Sequence, residues 1–166
     1  MARFKNTWKT GDIALITFNQ VDRVLDIDIF ESPELCKIMV GVIDMAVAMQ
    51  RIQLFAYCIM PNLSHVHIVV KFLIDPSLAM KSVKGNAANL INTHLGRRGQ
   101  LFQHKSHDQI IRTREHFLRA CFYVWNNPMA ADLTKTPSEY AFSDFNQRAP
   151  DIESVANALF GYPHFV

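Results

Sequence analysis

Residues 57–72 read YCIMPNLSHVHIVVKF, and the way this stretch folds decides the rest of the chain. Two apolar runs flank PNLS, a cluster of turn-forming residues. A connection this short joins neighbouring antiparallel strands, so the stretch predicts a hairpin of IQLFAYCIM (52–60) and HVHIVVKF (65–72). On the second strand the period of two puts Val66, Ile68, Val70 and Phe72 on one side and His65, His67, Val69 and Lys71 on the other. The wholly apolar row belongs against helices. Two imidazoles and Lys71 then share the opposite face, where the rings can converge on one ion. Spacing alone leaves two readings, a metal pair or strand-edge histidines bonded to backbone or water, and a usable metal site needs at least one more protein ligand.

Working outward, DIALITFNQ (12–20) reads as a first strand, and SPELCKIMVGVIDMAVAMQ (32–50) as a helix with Ser32 at the N-cap and Pro33 at its first position. Its apolar stripe is Leu35, Ile38, Met39, Val42, Met45 and Ala46. PSLAMKSVKGNAANLINTHL (76–95) is helical with Gly96 just past its end, and LFQHKSHDQIIR (101–112) is extended or irregular. TREHFLRACFYVWNN (113–127) is a helix capped by Thr113 and closing before Pro128. Strand, helix, strand, strand, helix, strand is the order of a ferredoxin-like (RRM-like) α+β sandwich. Its expected form is an antiparallel sheet with helices on one face and the active site on the other. Residues 1–166 form one domain, with 146–166 a C-terminal tail of unassigned role. In the last helix Tyr123 and Asn127, four apart, share a face and point a phenol and an amide into the same space. The plain alternative for Tyr123 is a packing residue.

Composition is that of an ordinary globular chain, 49% apolar and 19% charged, which excludes a disordered one. No apolar run approaches the roughly 20 residues of a membrane span, and MARFKNTWKTGD has no apolar core of a signal peptide, so a cytoplasmic protein is expected. Cys36, Cys58 and Cys121 are widely spaced among apolar neighbours and read as reduced core thiols rather than disulfides or zinc ligands. The net charge is only +2, but its distribution is uneven. Residues 22–34 carry Asp22, Asp26, Asp28, Glu31 and Glu34 against Arg23. Residues 71–119 carry Lys71, Lys81, Lys84, Arg97, Arg98, Lys105, Arg112, Arg114 and Arg119 against Asp75, Asp108 and Glu115. That half could face a polyanion; a solvated surface with clustered charge is the plain alternative.

YCIMPNLSHVHIVV, GQLFQHKSHDQIIRTREHFLRACFYVWNNPMAADL and PSEYAFSDF occur in that order, and with them the chain resembles the REP-associated tyrosine transposases. These are single-tyrosine HUH transposases of the insertion-sequence type, and the resemblance runs from about residue 12 to residue 145. In that family a MPNHVH hairpin supplies a His-hydrophobic-His metal pair, and a later YI..NP helix supplies the nucleophile and a further ligand. The match falls on His65 and His67 for the pair, Tyr123 for the nucleophile and Asn127 for the third ligand of Mg²⁺ or Mn²⁺.

The resemblance implies cleavage and rejoining of DNA through a 5′-phosphotyrosine, with single-stranded or hairpin DNA as partner, no membrane, and a homodimer as an open alternative to the monomer. A free phenol has a pKa of about 10, so the site must offset roughly 4 kcal/mol to present phenolate at pH 7. Lys71 could stabilise phosphate charge, and Lys81, Lys84, Arg97, Arg98, Arg112 and Arg114 are candidate phosphate contacts. Two rivals are a domesticated DNA- or RNA-binding module without catalysis and a metal-dependent phosphodiesterase in which water attacks.

The chain departs from the family pattern in the hairpin, where Leu63 and Ser64 intervene between Asn62 and His65; two extra residues preserve the facing of the pair. Phe102 and His104 stand where the family has tryptophan and arginine. His94, His104, His107 and His116 do not converge on one predicted face, so no second metal cluster is expected.

Overall fold

In a computed structural model, residues 8–21 and 27–163 are described. The acidic residues Asp22 and Asp26, and Arg23 with them, lie outside those residues, as does the end of the tail from 164. The first strand is β1 (Ile13–Asn19), followed by α1 (Pro33–Ala48) and the expected hairpin of β2 (Ile52–Met60) and β3 (His65–Phe72). Next come α2 (Pro76–Leu95), β4 (His107–Ile111) and α3 (Arg114–Ala130). The sheet has four strands in the order β2-β3-β1-β4, and every pair is antiparallel. The irregular stretch 101–112 thus contributes an edge strand, β4, paired only to β1.

The helix ends follow local chemistry. Asp75 accepts the Leu78 N–H at 3.1 Å ahead of Pro76, and α2 stops at Gly96, whose φ of 65° suits a residue without Cβ. Thr113 accepts the His116 N–H at 3.2 Å to start α3. Ser32 occupies the N-cap of α1 but makes no side-chain cap bond. The expected stop at Pro128 is corrected: α3 continues through it to Ala130. Proline removes a single donor, and the following carbonyls are satisfied within the turn, with Ala131 N–H on Asn127 O at 3.0 Å and Leu133 N–H on Pro128 O at 2.9 Å.

The two helices of the split β-α-β core, α1 and α2, pack on one face against Ala14, Ile16, Phe18, Val66, Ile68 and Val70. Two details of the α1 stripe differ from the periodic reading: Met45 is exposed, while Cys36 and Ile43 are buried. The other face is not left bare. α3 lies on it, burying Phe117, Cys121, Val124 and Trp125 against Ala56, Cys58, Met60 and Val69. A β-bulge makes this two-sided core. Register shifts between Leu54 and Ala56, so Ile52 and Leu54 face α1 whereas Ala56, Cys58 and Met60 face α3. The three cysteines are free and buried, as expected.

Described residues from 137 onward pack back on the sheet and on α3. Tyr140 donates its hydroxyl to Ile59 O at 2.6 Å, Ile59 N–H bonds Phe142 O at 2.9 Å, and Ser143 bridges Cys58, so the PSEYAFSDF segment covers the outer edge of β2. Asp144, almost fully buried, accepts from the Tyr57 N–H and from the Trp125 indole, both at 2.8 Å. Burial pushes its carboxyl above the ordinary aspartate range, and those two donors with Arg148 pull it back. Arg148, in the short helix α4 (Phe145–Arg148), pairs with Asp144 at 2.7 Å and donates to Leu54 O at 2.8 Å. The last helix, α5 (Ile152–Phe160), packs Ile152 and Ala156 on α3 and is tied to it by Arg114, which meets Glu153 and reaches Asn157 Oδ1 at 2.8 Å.

Candidate active site

The period-2 reading of β3 holds: His65 and His67 project from the face that α3 covers. Their rings lie edge to face with centroids 4.7 Å apart. His65 Nδ1 is 2.7 Å from Asn62 O, and because a carbonyl only accepts, Nδ1 carries the proton and Nε2 is left with its lone pair. His67 Nδ1 is 2.7 Å from Thr17 Oγ1 of β1. Its Nε2 is buried and has no hydrogen-bond partner among the described residues. Burial, reinforced by the His65 ring, holds the His67 pKa down at about 3, and burial also lowers that of His65 against the opposing pull of the Asn62 carbonyl. Both rings are therefore neutral at pH 7, the form in which imidazole binds metal.

Tyr123 meets this pair from above. Its ring sits 5.6 Å from that of His67 at 80°, yet 54% of the residue is exposed, so the phenol is open to solvent on one side. α3 brings it there because Phe117, Val124 and Trp125 are buried beneath the helix and Trp125 is pinned to Asp144. Asn127 is one turn further on; its amide nitrogen donates to the Tyr123 carbonyl at 2.8 Å, leaving Oδ1 uncommitted. Among the described residues no three His, Cys, Asp or Glu side chains are grouped to hold a metal, so any ion on the histidines needs a neutral oxygen donor beside them.

The hairpin tip absorbs the two inserted residues with a strained backbone. Leu63 and Ser64 adopt φ of 54° and 37°. Ser64 is buried: its Oγ accepts the Phe30 N–H at 3.0 Å, and its carbonyl accepts the Gln20 N–H at 3.0 Å. Leu63, 70% exposed, projects from this pinned tip.

The basic candidates divide. Lys84 is spent on Gln103 O at 2.6 Å and on His104 O and Ser106 Oγ at 3.3 Å. Arg97 is bound to Asn92 Oδ1 at 2.6 Å, and Arg114 to α5. Lys81, Arg98 and Arg112 are exposed. Lys71 shares the histidine face but lies four residues along β3 from His67, roughly 13 Å away.

Sequence reasoning did not single out Thr17, counted Arg119 only in the basic excess of 71–119, and set aside His107 and His116, which the fold brings to one groove. With Leu15 and Tyr123 they line a groove of about 600 Å³ between α3 and the β1–β4 edge. The signal was half present, since His116, Arg119 and Tyr123 follow helical spacing; the other half required knowing that β4 pairs with β1. A larger cavity of about 1030 Å³ lies elsewhere, between α2 and residues 100–108, and does not include Tyr123.

No family model and no curated protein matches the sequence. The fold does have a solved counterpart, a REP-associated tyrosine transposase bound to a REP hairpin, superposing with a TM-score of 0.72 over 100% of this chain and 93% of that one at 17% identity. The chain thus carries the fold of a tyrosine transposase, arranged around the two motifs that resemble that family.

Proposed function

We propose that the protein is a divalent-metal-dependent transposase that cleaves and rejoins single-stranded DNA through Tyr123. The observation that carries this reading is the edge-to-face contact of an exposed phenol with His67, one of a pair of neutral histidines, whose Nε2 is buried and unpartnered. That orphaned nitrogen fits a divalent ion: where Thr17 accepts from Nδ1–H, His67 Nε2 would be a ready ligand, and His65 Nε2 and Asn127 Oδ1 would supply the remaining protein donors. When bound, Mg²⁺ or Mn²⁺ polarises the scissile phosphate and offsets charge as phosphorus is attacked.

Tyr123 then attacks phosphorus through its phenolic oxygen. The phenol loses its proton as the O–P bond forms, the P–O3′ bond breaks, the departing oxygen takes up a proton to become a free 3′-hydroxyl, and the downstream fragment stays on the tyrosine through its 5′-phosphate, a phosphodiester. Attack by a 3′-hydroxyl on that linkage restores a DNA bond and returns the phenol. No high-energy cofactor is required, because the bond energy is stored on the enzyme. The transposase counterpart of the fold supports DNA as the partner.

The test is incubation with labelled single-stranded DNA from the flanks of the gene and Mn²⁺. A covalent protein–DNA complex whose mapped peptide contains Tyr123, absent in Tyr123→Phe, supports the reading. Binding without an adduct makes the chain a non-catalytic module, and cleavage without an adduct makes it a hydrolase.

A further inference from the structure

Three adjacent strands place His107, Thr17 and His67 in one row, since Thr17 pairs with His67 on one side and with His107 on the other. The row faces the α3 stripe of His116, Arg119 and Tyr123. The groove between them is therefore continuous with the Tyr123–His67 contact, and its size falls in the roughly 300–1,000 Å³ range of ligand sites. Among the described residues, Arg119, His116 and His107 have no side-chain hydrogen bond or ion pair, in contrast to Arg114 on the same helix, which is committed to α5. Asp108 also lines the groove, but along β4 its side chain alternates to the face opposite His107 and Gln109. What remains is a polar trough whose fixed positive charge, Arg119, lies one helical turn from the phenol.

We propose that this trough seats the DNA strand flanking the scissile bond, with Arg119 gripping a phosphate next to the one Tyr123 attacks and His107 and His116 donating to the same backbone. The proposal rests on the reading of Tyr123 as nucleophile but names residues which that reading does not use. A guanidinium suits the task because its planar fork bonds two phosphate oxygens at once. Arg119 is a positioning residue: it sets the register of the strand, and Tyr123 does the chemistry.

The experiment measures binding of a single-stranded oligonucleotide to Tyr123→Phe, which cannot react, with and without Arg119→Gln, alongside adduct formation in the Tyr123 protein. Arg119→Gln should weaken binding about tenfold, reduce the log–log salt slope by about 0.7, and slow adduct formation, while Arg119→Lys restores part of each. Replacing the gripped phosphate by an uncharged methylphosphonate should abolish the difference between Arg119 and Gln. Lys37→Gln, exposed on α1 across the sheet from the trough, should leave adduct formation unchanged. Equal affinity, slope and adduct rate in Arg119→Gln would overturn the proposal while leaving the nucleophile assignment intact. An Arg119 effect on binding, in a parent that forms no adduct, would uphold the trough and remove the nucleophile.

Discussion

Thr17 on β1 lies directly across from His67 on β3 and meets its Nδ1 at 2.7 Å. That bond fixes the ring's orientation, and where Thr17 accepts from Nδ1–H it leaves Nε2 with its lone pair. Thr17→Val keeps the branched shape of the side chain but removes the hydroxyl that meets Nδ1. Mn²⁺ affinity by calorimetry should fall by 10–100-fold, in the range of lost outer-shell partners, with the fold retained. Unchanged affinity would mean that the ring is held by packing alone.

The depressed pKa of His67 sets a pH dependence with a definite sign. Between about 3 and the ordinary 6.5 the unfolded chain takes up a proton that the folded one refuses. The stabilisation is therefore complete above 6.5 and is lost as pH falls. The limit is about 1.4 kcal/mol per pH unit, so roughly 2 kcal/mol disappears between pH 6.5 and 5. Urea melts across that range should show a steeper loss in the parent than in His67→Asn. Parallel curves would place the acid sensitivity elsewhere.

Asp144 joins α3 to the edge of the sheet, holding the Trp125 indole and the Tyr57 N–H on one carboxylate oxygen. Asp144→Ala strands two buried donors at about 1–3 kcal/mol each, so unfolding free energy should drop by about 3 kcal/mol. Trp125 is buried and bonded here, so its fluorescence should shift on loss of the partner. A variant as stable as the parent would show that apolar packing suffices to hold α3.

Leu63 carries a left-handed φ of 54° and an exposed side chain. Leu63→Gly should remove the strain without opening a cavity, raising stability by about 0.5–1 kcal/mol in a thermal melt. A lower melting temperature would mean that the exposed leucine contributes packing to the tip.

Much of this site was legible in the chain itself. Alternation on β3 decided that His65 and His67 point the same way, because a strand's period of two is a local property and survives the two inserted residues. Capping at Asp75 and Thr113, the αL stop at Gly96 and the helical spacing of Tyr123 and Asn127 are equally local. The core helices α1 and α2 could be assigned to one face from the apolar rows alone.

Other features required the fold. Sequence does not say which face of a sheet a later helix chooses, and α3 covers the histidine face because a bulge at Leu54–Ala56 makes β2 apolar on both sides. Lys84, Arg97 and Arg114 look like free cations in a linear reading, yet each finds an internal acceptor. Thr17, His107 and His67 form a row only because β1 lies between β3 and β4. Local rules act over a few residues and were readable, whereas strand pairing and burial bring together groups dozens of positions apart, and only tertiary packing decides those neighbours.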